Sequence, residues 1–325
     1  MALSPLFAAC IALMLLPGCD ARPTQGSTTA AAAPASASAD QVITSFYPTE
    51  YFASRIAGGL VNVSCPVPAD ADPIFWKPDD AAIKRYQSAT LIVLNGADYE
   101  KWASTVSLPL TRVVDTAHAF DASFLRFQGV THSHGAAGPH THTGIDGHTW
   151  MDPNQAKLQA QAILAAMTRT WPQHEKAFGA NYQSLAADLD TLDARLRAIA
   201  PALKAARLYA SHPAYGYIAR RYGLTIANVT LPPDEPATDA EWAEVAAAIA
   251  KEPADAKAPR VMLFESQPLP ATVQGLKERH AMTSVVFSPC ETLGSDERTK
   301  GEDYLKVMNE NLDRLAAAVS AAGPN

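Results

Sequence analysis

The sequence lacks several features that mark common classes of protein. Its 325 residues carry 33 acidic against 26 basic side chains, a net charge of −7 that argues against nucleic-acid binding and favours cations only weakly. No apolar run of membrane-spanning length follows the N-terminal segment. The His-Glu-x-x-His and Gly-x-Ser-x-Gly patterns of hydrolases are absent. A hydrophobic fraction of 48% at this length predicts a globular protein with two lobes.

The N-terminal segment predicts export. Residues 6–16 form an apolar run that ends in Leu16-Pro17-Gly18-Cys19, which resembles a lipoprotein cleavage box. Residues 1–18 are therefore predicted to be a signal peptide and Cys19 the lipidated residue, with an ordinary secretory signal or a buried helix as alternatives. Residues 19–40, rich in Ala, Ser, Thr and Pro, predict a flexible linker between a lipid anchor and the folded part.

Cysteine is scarce, with four residues in the chain. Signal removal and lipidation would leave Cys65 and Cys290 as the thiols of the folded part. An oxidising compartment permits a disulfide between them. They lie far apart in the chain, so the sequence leaves open whether they meet.

Histidine is concentrated in one segment. Five of the nine histidines lie within residues 130–148, and four glycines separate them, which predicts a loop and not a helix or strand. Neutral imidazole binds zinc, nickel and copper. The segment ends at Asp152-Pro153, a helix start signal. We interpret it as a metal-collecting loop ahead of a structured site, with weak capture by four of its histidines: His132, His134, His140 and His142.

Strand and helix patterns alternate in two parts of the chain. They predict α/β lobes with parallel sheets over residues 41–153, including the His-rich loop 130–148, and over residues 201–325. Connecting helices are predicted for residues 154–200, where apolar side chains recur at spacings of four and three from Phe178 to Ile199. This long helix suits a strut packed on both lobes better than a dimer seam. Ligands of such sheets bind beyond the carboxyl ends of the strands, so a cleft between the lobes is the expected site.

Several short motifs occur along the chain. They are Ser45-Phe46-Tyr47-Pro48, Leu94-Asn95-Gly96-Ala97, His148-Thr149-Trp150-Met151-Asp152-Pro153, Ser211-His212-Pro213-Ala214-Tyr215-Gly216-Tyr217, Arg221-Tyr222-Gly223-Leu224, Phe264-Glu265-Ser266-Gln267-Pro268 and residues 304–312. In this order they resemble the motifs of one family, the zinc/manganese solute-binding proteins of ABC importers (ZnuA/TroA-like), over residues 42–315. The resemblance implies two lobes joined by one long helix, a metal ion as cargo between them, and delivery to a membrane permease. It also implies an extracytoplasmic location and no enzymatic activity.

The family takes one metal ligand from each of four places, and the resemblance assigns two of them here. His148 precedes the Trp-x-Asp-Pro motif, and His212 begins the segment of the Ala-Tyr-Gly-Tyr motif. Histidine at the latter place favours zinc over manganese, which prefers carboxylate oxygen. The other two places depart from the family pattern, because Ile74 stands where a histidine is expected and Ser288 where an aspartate is expected.

Nearby side chains are candidate substitutes for the two missing ligands. Cys65, Cys290 and Glu291 are the first candidates, and thiolates would favour zinc or Cu(I). The cysteines could instead pair or pack as small apolar groups. Asp72 and Glu265 are further candidates, although carboxylates beside turns are often caps.

Two other functions fit parts of the pattern. A periplasmic metal-dependent hydrolase needs an open coordination position and a general base, and no spacing indicates one. A metal-binding surface lipoprotein that acts as an adhesin is the other alternative. Metal-dependent stabilisation without turnover would favour the binding protein, because a ligand of the native state raises its stability.

Overall fold

The computed structural model describes residues 41–69, 71–133, 139–252 and 258–321. For residues 127–133 and 139–143 the description concerns the backbone. The predicted signal peptide, the lipidated Cys19 and the linker 19–40 lie outside the described residues. In the part of the chain that is described, no helix combines the length and apolar character needed to cross a membrane.

The first lobe contains β1 (Gln41–Thr44), α1 (Tyr47–Ala57), β2 (Asn62–Ser64), α2 (Asp80–Ser88), β3 (Leu91–Leu94) and β4 (Val113–Asp115). Its strands form a parallel four-stranded sheet in the order β2-β1-β3-β4. Val42 pairs with Val63 on one side of β1 and with Leu91 on the other. The central strands β1 and β3 are almost wholly buried, as their continuous apolar runs require when both faces of a sheet are covered.

The histidine-rich segment forms a β-hairpin, so the prediction of a loop without strands was wrong. β5 (Arg126–Ser133) pairs antiparallel with β6 (Pro139–Ile145), and the backbone register sets His132 opposite His140. Threonine and valine between the glycines favour extended backbone. Antiparallel pairing also satisfies the backbone groups of the segment. His134 and the side chains of His132, His140 and His142 lie outside the described part.

Two helices connect the lobes: α3 (Pro153–Thr170) and the 31-residue α4 (Glu175–Ala205). At 1.5 Å per residue, α4 is about 46 Å long. Its apolar stripe, which includes Phe178 and Leu192, is buried against α1 and α3 on one side and against elements of the second lobe on the other. The prediction of a strut packed on both lobes is confirmed. The helix ends at Ala205, five residues beyond the predicted end of the connecting segment.

The second lobe contains β7 (Arg207–Ala210), α5 (Gly216–Tyr222), β8 (Ile226–Asn228), α6 (Asp239–Ile249), β9 (Arg260–Phe264), α7 (Pro270–His280), β10 (Met282–Val286), α8 (Ser295–Thr299) and α9 (Tyr304–Ala321). It repeats the architecture of the first lobe with a parallel sheet in the order β10-β9-β7-β8. One hydrophobic core runs through both lobes and includes Phe46 and Trp150 of the first and Phe287 and Tyr304 of the second. The predicted fold class, two parallel-sheet lobes on one long helix, is confirmed.

Candidate metal centre

His148 lies in the turn between β6 and α3, and its ring is 1% exposed. The Oδ1 atom of Asp146 accepts a hydrogen bond from the backbone N–H of His148 (3.0 Å) and lies 2.8 Å from the ring atom Nδ1. Tyr217 of α5 in turn donates to the backbone oxygen of Asp146 (2.8 Å). Because Nδ1 is occupied by the carboxylate, Nε2 is the atom that His148 presents to a ligand.

The backbone under His148 is held by a buried polar network. Asn95, in the turn after β3, donates from Nδ2 to the backbone oxygen of Gly147 (2.9 Å), and its Oδ1 accepts from Gln159 of α3 (2.8 Å). A Cβ atom on Gly147 would lie 2.8 Å from the ring of Tyr99, so only glycine fits there. The Asp146-Gly147-His148 turn is therefore rigidly placed against the first lobe.

His212 comes from the second lobe and follows the carboxyl end of β7. The backbone of Ser211 continues the sheet by donating to Leu263 of β9 (2.9 Å). Glu265 directly follows β9, and its Oε2 atom lies 3.6 Å from Nδ1 of His212. Neighbouring parallel strands end at the same edge of a sheet, which is why residues distant in the chain meet here. Both histidines thus have a carboxylate beside Nδ1.

Glu291 lies in the loop after β10, with Oε1 at 2.9 Å from Nε2 of His148. The contact does not have hydrogen-bond geometry, and neither atom has a hydrogen-bond partner among the described residues. The loop is attached to the first lobe: Trp150 Nε1 donates to the backbone oxygen of Pro289 (2.8 Å), and the backbone N–H of Tyr47 donates to that of Glu291 (3.2 Å). Glu291 therefore reaches His148 from across the cleft.

The spacing of these groups is close to that of ligands on one zinc ion. The rings of His148 and His212 have centroids 5.5 Å apart, and two imidazoles on a tetrahedral zinc would have centroids about 5 Å apart. The 2.9 Å between Nε2 and Oε1 compares with about 3.3 Å between two ligand atoms of such an ion. Among the residues that the structure describes, however, no three His, Cys, Asp or Glu side chains are already arranged to hold a metal ion.

The electrostatics of the site favour a cation. Burial lowers the pKa of His148, but the carboxylates of Asp146 and Glu291 outweigh burial and raise it to about 10. Burial raises the pKa of Glu291, and the His148 charge acts in the opposite direction. An imidazolium therefore occupies the position at neutral pH, and a metal ion would have to displace its proton.

A cavity of about 350 Å³ opens beside these residues. Its wall includes His212, Glu265, Glu291 and Asp72, together with Ile74, which is buried at the place where the family resemblance predicts a histidine. The aliphatic side chain of Ile74 has no donor atom for a metal. Asp72 turns the chain there by accepting from the backbone N–H of Ile74 (2.9 Å).

The two cysteines are free thiols, so the disulfide is not formed. Cys65 lines a neighbouring cavity of about 170 Å³ whose wall also includes Glu291, and Cys290 is buried in the core. Burial raises the pKa of Cys65 to about 12 and raises that of Cys290 as well. Neither lines the cavity beside His212.

Sequence reasoning missed Asp146, which orients His148. The signal was present as Asp-Gly-His, in which an aspartate two residues before a histidine can accept from the histidine backbone in a tight turn. The local pattern does not show that the same carboxylate also lies 2.8 Å from the ring atom Nδ1.

The fold and the site together define a two-lobed binding protein whose cleft suits a cation. The chain belongs to the family described as "Zinc-uptake complex component A periplasmic", whose model matches residues 42–318.

The curated relatives that the chain matches in sequence include proteins named for zinc binding and zinc uptake. The zinc-binding protein AdcA of Streptococcus pyogenes is 27% identical over 297 residues, which cover 87% of this chain and 56% of the relative. The chain thus spans little more than half the length of that relative. The high-affinity zinc uptake system protein ZnuA of Bacillus subtilis is 26% identical over 324 residues, which cover 96% of both chains.

Solved structures share the fold. The metal-dependent lipoprotein YcdH of Bacillus subtilis superposes with a TM-score of 0.72 at 24% identity, over 86% of this chain and 98% of that one. The Zn(II)-bound ZnuA-like domain of Streptococcus pneumoniae AdcA gives 0.70 at 23% identity over the same shares.

Proposed function

We propose that this protein binds zinc outside the cytoplasm and delivers it to the permease of an ABC importer. One observation carries the proposal: His148 and His212, from different lobes, meet at a ring distance of 5.5 Å with Glu291 beside His148. Membership of the zinc-uptake family and the names of the relatives support the choice of ion.

The ligands are Nε2 of His148, Nε2 of His212 and the carboxylate of Glu291, with water in the fourth position. Two imidazoles and one carboxylate suit zinc, whereas manganese prefers more oxygen and copper(I) prefers thiolate. Glu291 has to turn out of its contact with Nε2 so that the ion can lie between them. Cys65 and Cys290 are left out of the ligand set because neither lines the cavity beside His212.

Metal analysis and affinity measurements test the ligand set. Wild-type protein and the His148→Ala, His212→Ala and double variants are compared by metal content after purification and by competition with a zinc chelator. His118→Ala is the matched control, since that side chain is 79% exposed and distant in the chain from the cleft residues. We expect one tight zinc per wild-type or control molecule and none in the double variant. A double variant with full zinc content and affinity refutes the assignment, and the wild-type metal content shows whether manganese or copper is the cargo.

The protein acts as a carrier and not as an enzyme. Zinc should raise its melting temperature by mass action, without hydrolysis of ester or amide substrates. Zinc-dependent turnover, lost together with the metal in His148→Ala, would instead support the periplasmic hydrolase. Binding of the zinc-loaded protein to host surfaces would support the adhesin alternative.

The remaining parts of the chain serve the same task. Residues 1–18 direct export, and Cys19 with the linker 19–40 attaches lobes 41–153 and 201–325, joined by helices 154–200, to the membrane. Labelling with a radioactive fatty acid, lost in Cys19→Ala, tests the anchor. Four histidines of the segment 130–148 collect metal weakly: His132, His134, His140 and His142. Deletion of residues 131–143 should remove weak sites and spare the tight one.

A further inference from the structure

Tyr99 carries a buried hydroxyl that the fold leaves without a hydrogen bond. The residue is 2% exposed, and its hydroxyl has no partner among the described residues. A buried donor without an acceptor lowers stability, and phenylalanine would fill the same space without that cost. The hydroxyl is therefore unexplained by packing.

The ring of Tyr99 lies directly against the candidate metal centre. Its centroid is 6.4 Å from that of His148, nearly perpendicular, and 4.6 Å and 5.2 Å from those of Phe46 and Trp150. The residue after Phe46 and the indole of Trp150 both bind the loop that carries Glu291. The phenol therefore packs on the groups that hold Glu291 across the cleft.

Glu291 is the carboxylate beside this ring. Its Oε1 atom lies 2.9 Å from Nε2 of His148, whose ring packs against that of Tyr99. A phenol hydroxyl can donate a hydrogen bond to a carboxylate.

Three buried polar atoms in this region have no hydrogen bond among the described residues: the Tyr99 hydroxyl, His148 Nε2 and Glu291 Oε1, of which the last two face each other at 2.9 Å. A metal ion between His148 and Glu291 satisfies the last two. Turning the Glu291 carboxylate onto the ion leaves its other oxygen as an acceptor. Carboxylate ligands are commonly held by such a second hydrogen bond.

We propose that Tyr99 is a positioning residue of this site, whose hydroxyl donates to the Glu291 carboxylate in the metal-bound state and holds it in the ligating orientation. The inference rests on the proposed zinc binding by His148, His212 and Glu291. It assigns to Tyr99 a role in the loaded protein, since its hydroxyl has no hydrogen-bond partner among the described residues.

The test compares Tyr99→Phe with wild type by melting temperature without metal and by zinc affinity. We expect an unchanged or higher melting temperature but about tenfold weaker zinc binding, at the lower end of the 10- to 100-fold range for partners of metal ligands. Tyr86→Phe is the matched control, since its buried hydroxyl donates to the backbone oxygen of Thr44 (3.0 Å). It should lower the melting temperature and leave zinc affinity unchanged.

A double-variant cycle separates positioning from general packing. In the Glu291→Ala background, Tyr99→Phe should cause no further loss of affinity. Three results would each overturn the inference without affecting the proposed zinc binding. The first is equal zinc affinity of wild type and Tyr99→Phe, and the second is a loss of affinity from Tyr99→Phe that is as large in the Glu291→Ala background as in wild type. The third is the absorption of a tyrosinate on zinc binding. A wild-type protein that binds no zinc overturns both this inference and the proposed function.

Discussion

Asp146→Asn should weaken zinc binding, although Asp146 is not a proposed ligand, because the residue acts on His148. Asp146 accepts from the His148 backbone at 3.0 Å and lies 2.8 Å from Nδ1. Asparagine keeps one acceptor oxygen but removes the charge that makes the imidazole a stronger donor to metal. Loss of such a partner typically costs 10- to 100-fold in affinity, or about 1.4 to 2.7 kcal/mol.

The pH dependence of this loss is its distinguishing feature. In wild type the pKa of His148 is raised to about 10, so zinc displaces a proton at neutral pH and affinity should rise about tenfold per pH unit below that value. The variant lacks one of the two carboxylates that raise the pKa, so its proton competes less. The deficit should therefore be small at pH 6 and grow toward pH 9.

Zinc affinity of both proteins is measured by chelator competition at each pH from 6 to 9. Asp121→Asn serves as control, since that carboxylate is 61% exposed, and its curve should superimpose on that of wild type. A deficit that is constant over this range, or no deficit, would show that Asp146 does not act through the basicity of His148.

Three further predictions concern stability. The pKa of His148 is raised from 6.5 to about 10 in the folded protein, so the stability that this residue contributes is complete below pH 6.5 and is lost as the pH rises toward 10. The urea midpoint of the metal-free protein should therefore fall over that range. A midpoint that does not change with pH would contradict the charged pair. Trp150→Phe removes the hydrogen bond to the backbone oxygen of Pro289 and leaves a cavity. Calorimetry should show a free energy of unfolding lower by about 2 to 4 kcal/mol, together with weaker zinc binding. Unchanged stability and affinity would contradict the role of this contact. Leu192→Ala in the buried stripe of α4 should lower the free energy of unfolding in urea by about 2 to 5 kcal/mol. The control Thr191→Ala, at an exposed position of the same helix, should lower it by about 0.5 kcal/mol or less. Similar losses for both variants would refute the packing of the strut.

Much of the fold could be predicted because the hydrophobic periodicity of a single segment indicates whether it is a strand or a helix. Short apolar runs alternating with helical patterns identified the parallel strands of both lobes, and the stripe beginning at Phe178 identified α4. The strands β5 and β6 escaped prediction because glycines and histidines conceal the alternation of a strand. Their pairing depends on contacts between two segments and not on the pattern of either.

The residues of the candidate site were also predictable only in part. The sequence indicated His148 and His212 through short motifs and named Glu291 as one of several substitutes. It could not separate Glu291 from Cys65 or Cys290, since that choice depends on the path of the loop after β10. The structure brings the carboxylate to 2.9 Å from His148 and leaves both thiols away from the cavity lined by His212.

By itself the sequence determined the two α/β lobes, the long helix and the residue types of a metal site, since these follow from hydrophobic periodicity and from short motifs within one element. Only the tertiary structure decided which donors meet. His148, His212 and Glu291 lie in three separate segments, and their convergence depends on how the strand ends of two lobes align across a shared core. The same packing set Asp146 on one ring nitrogen of His148 and the ring of Tyr99 beside it, which no local pattern specifies.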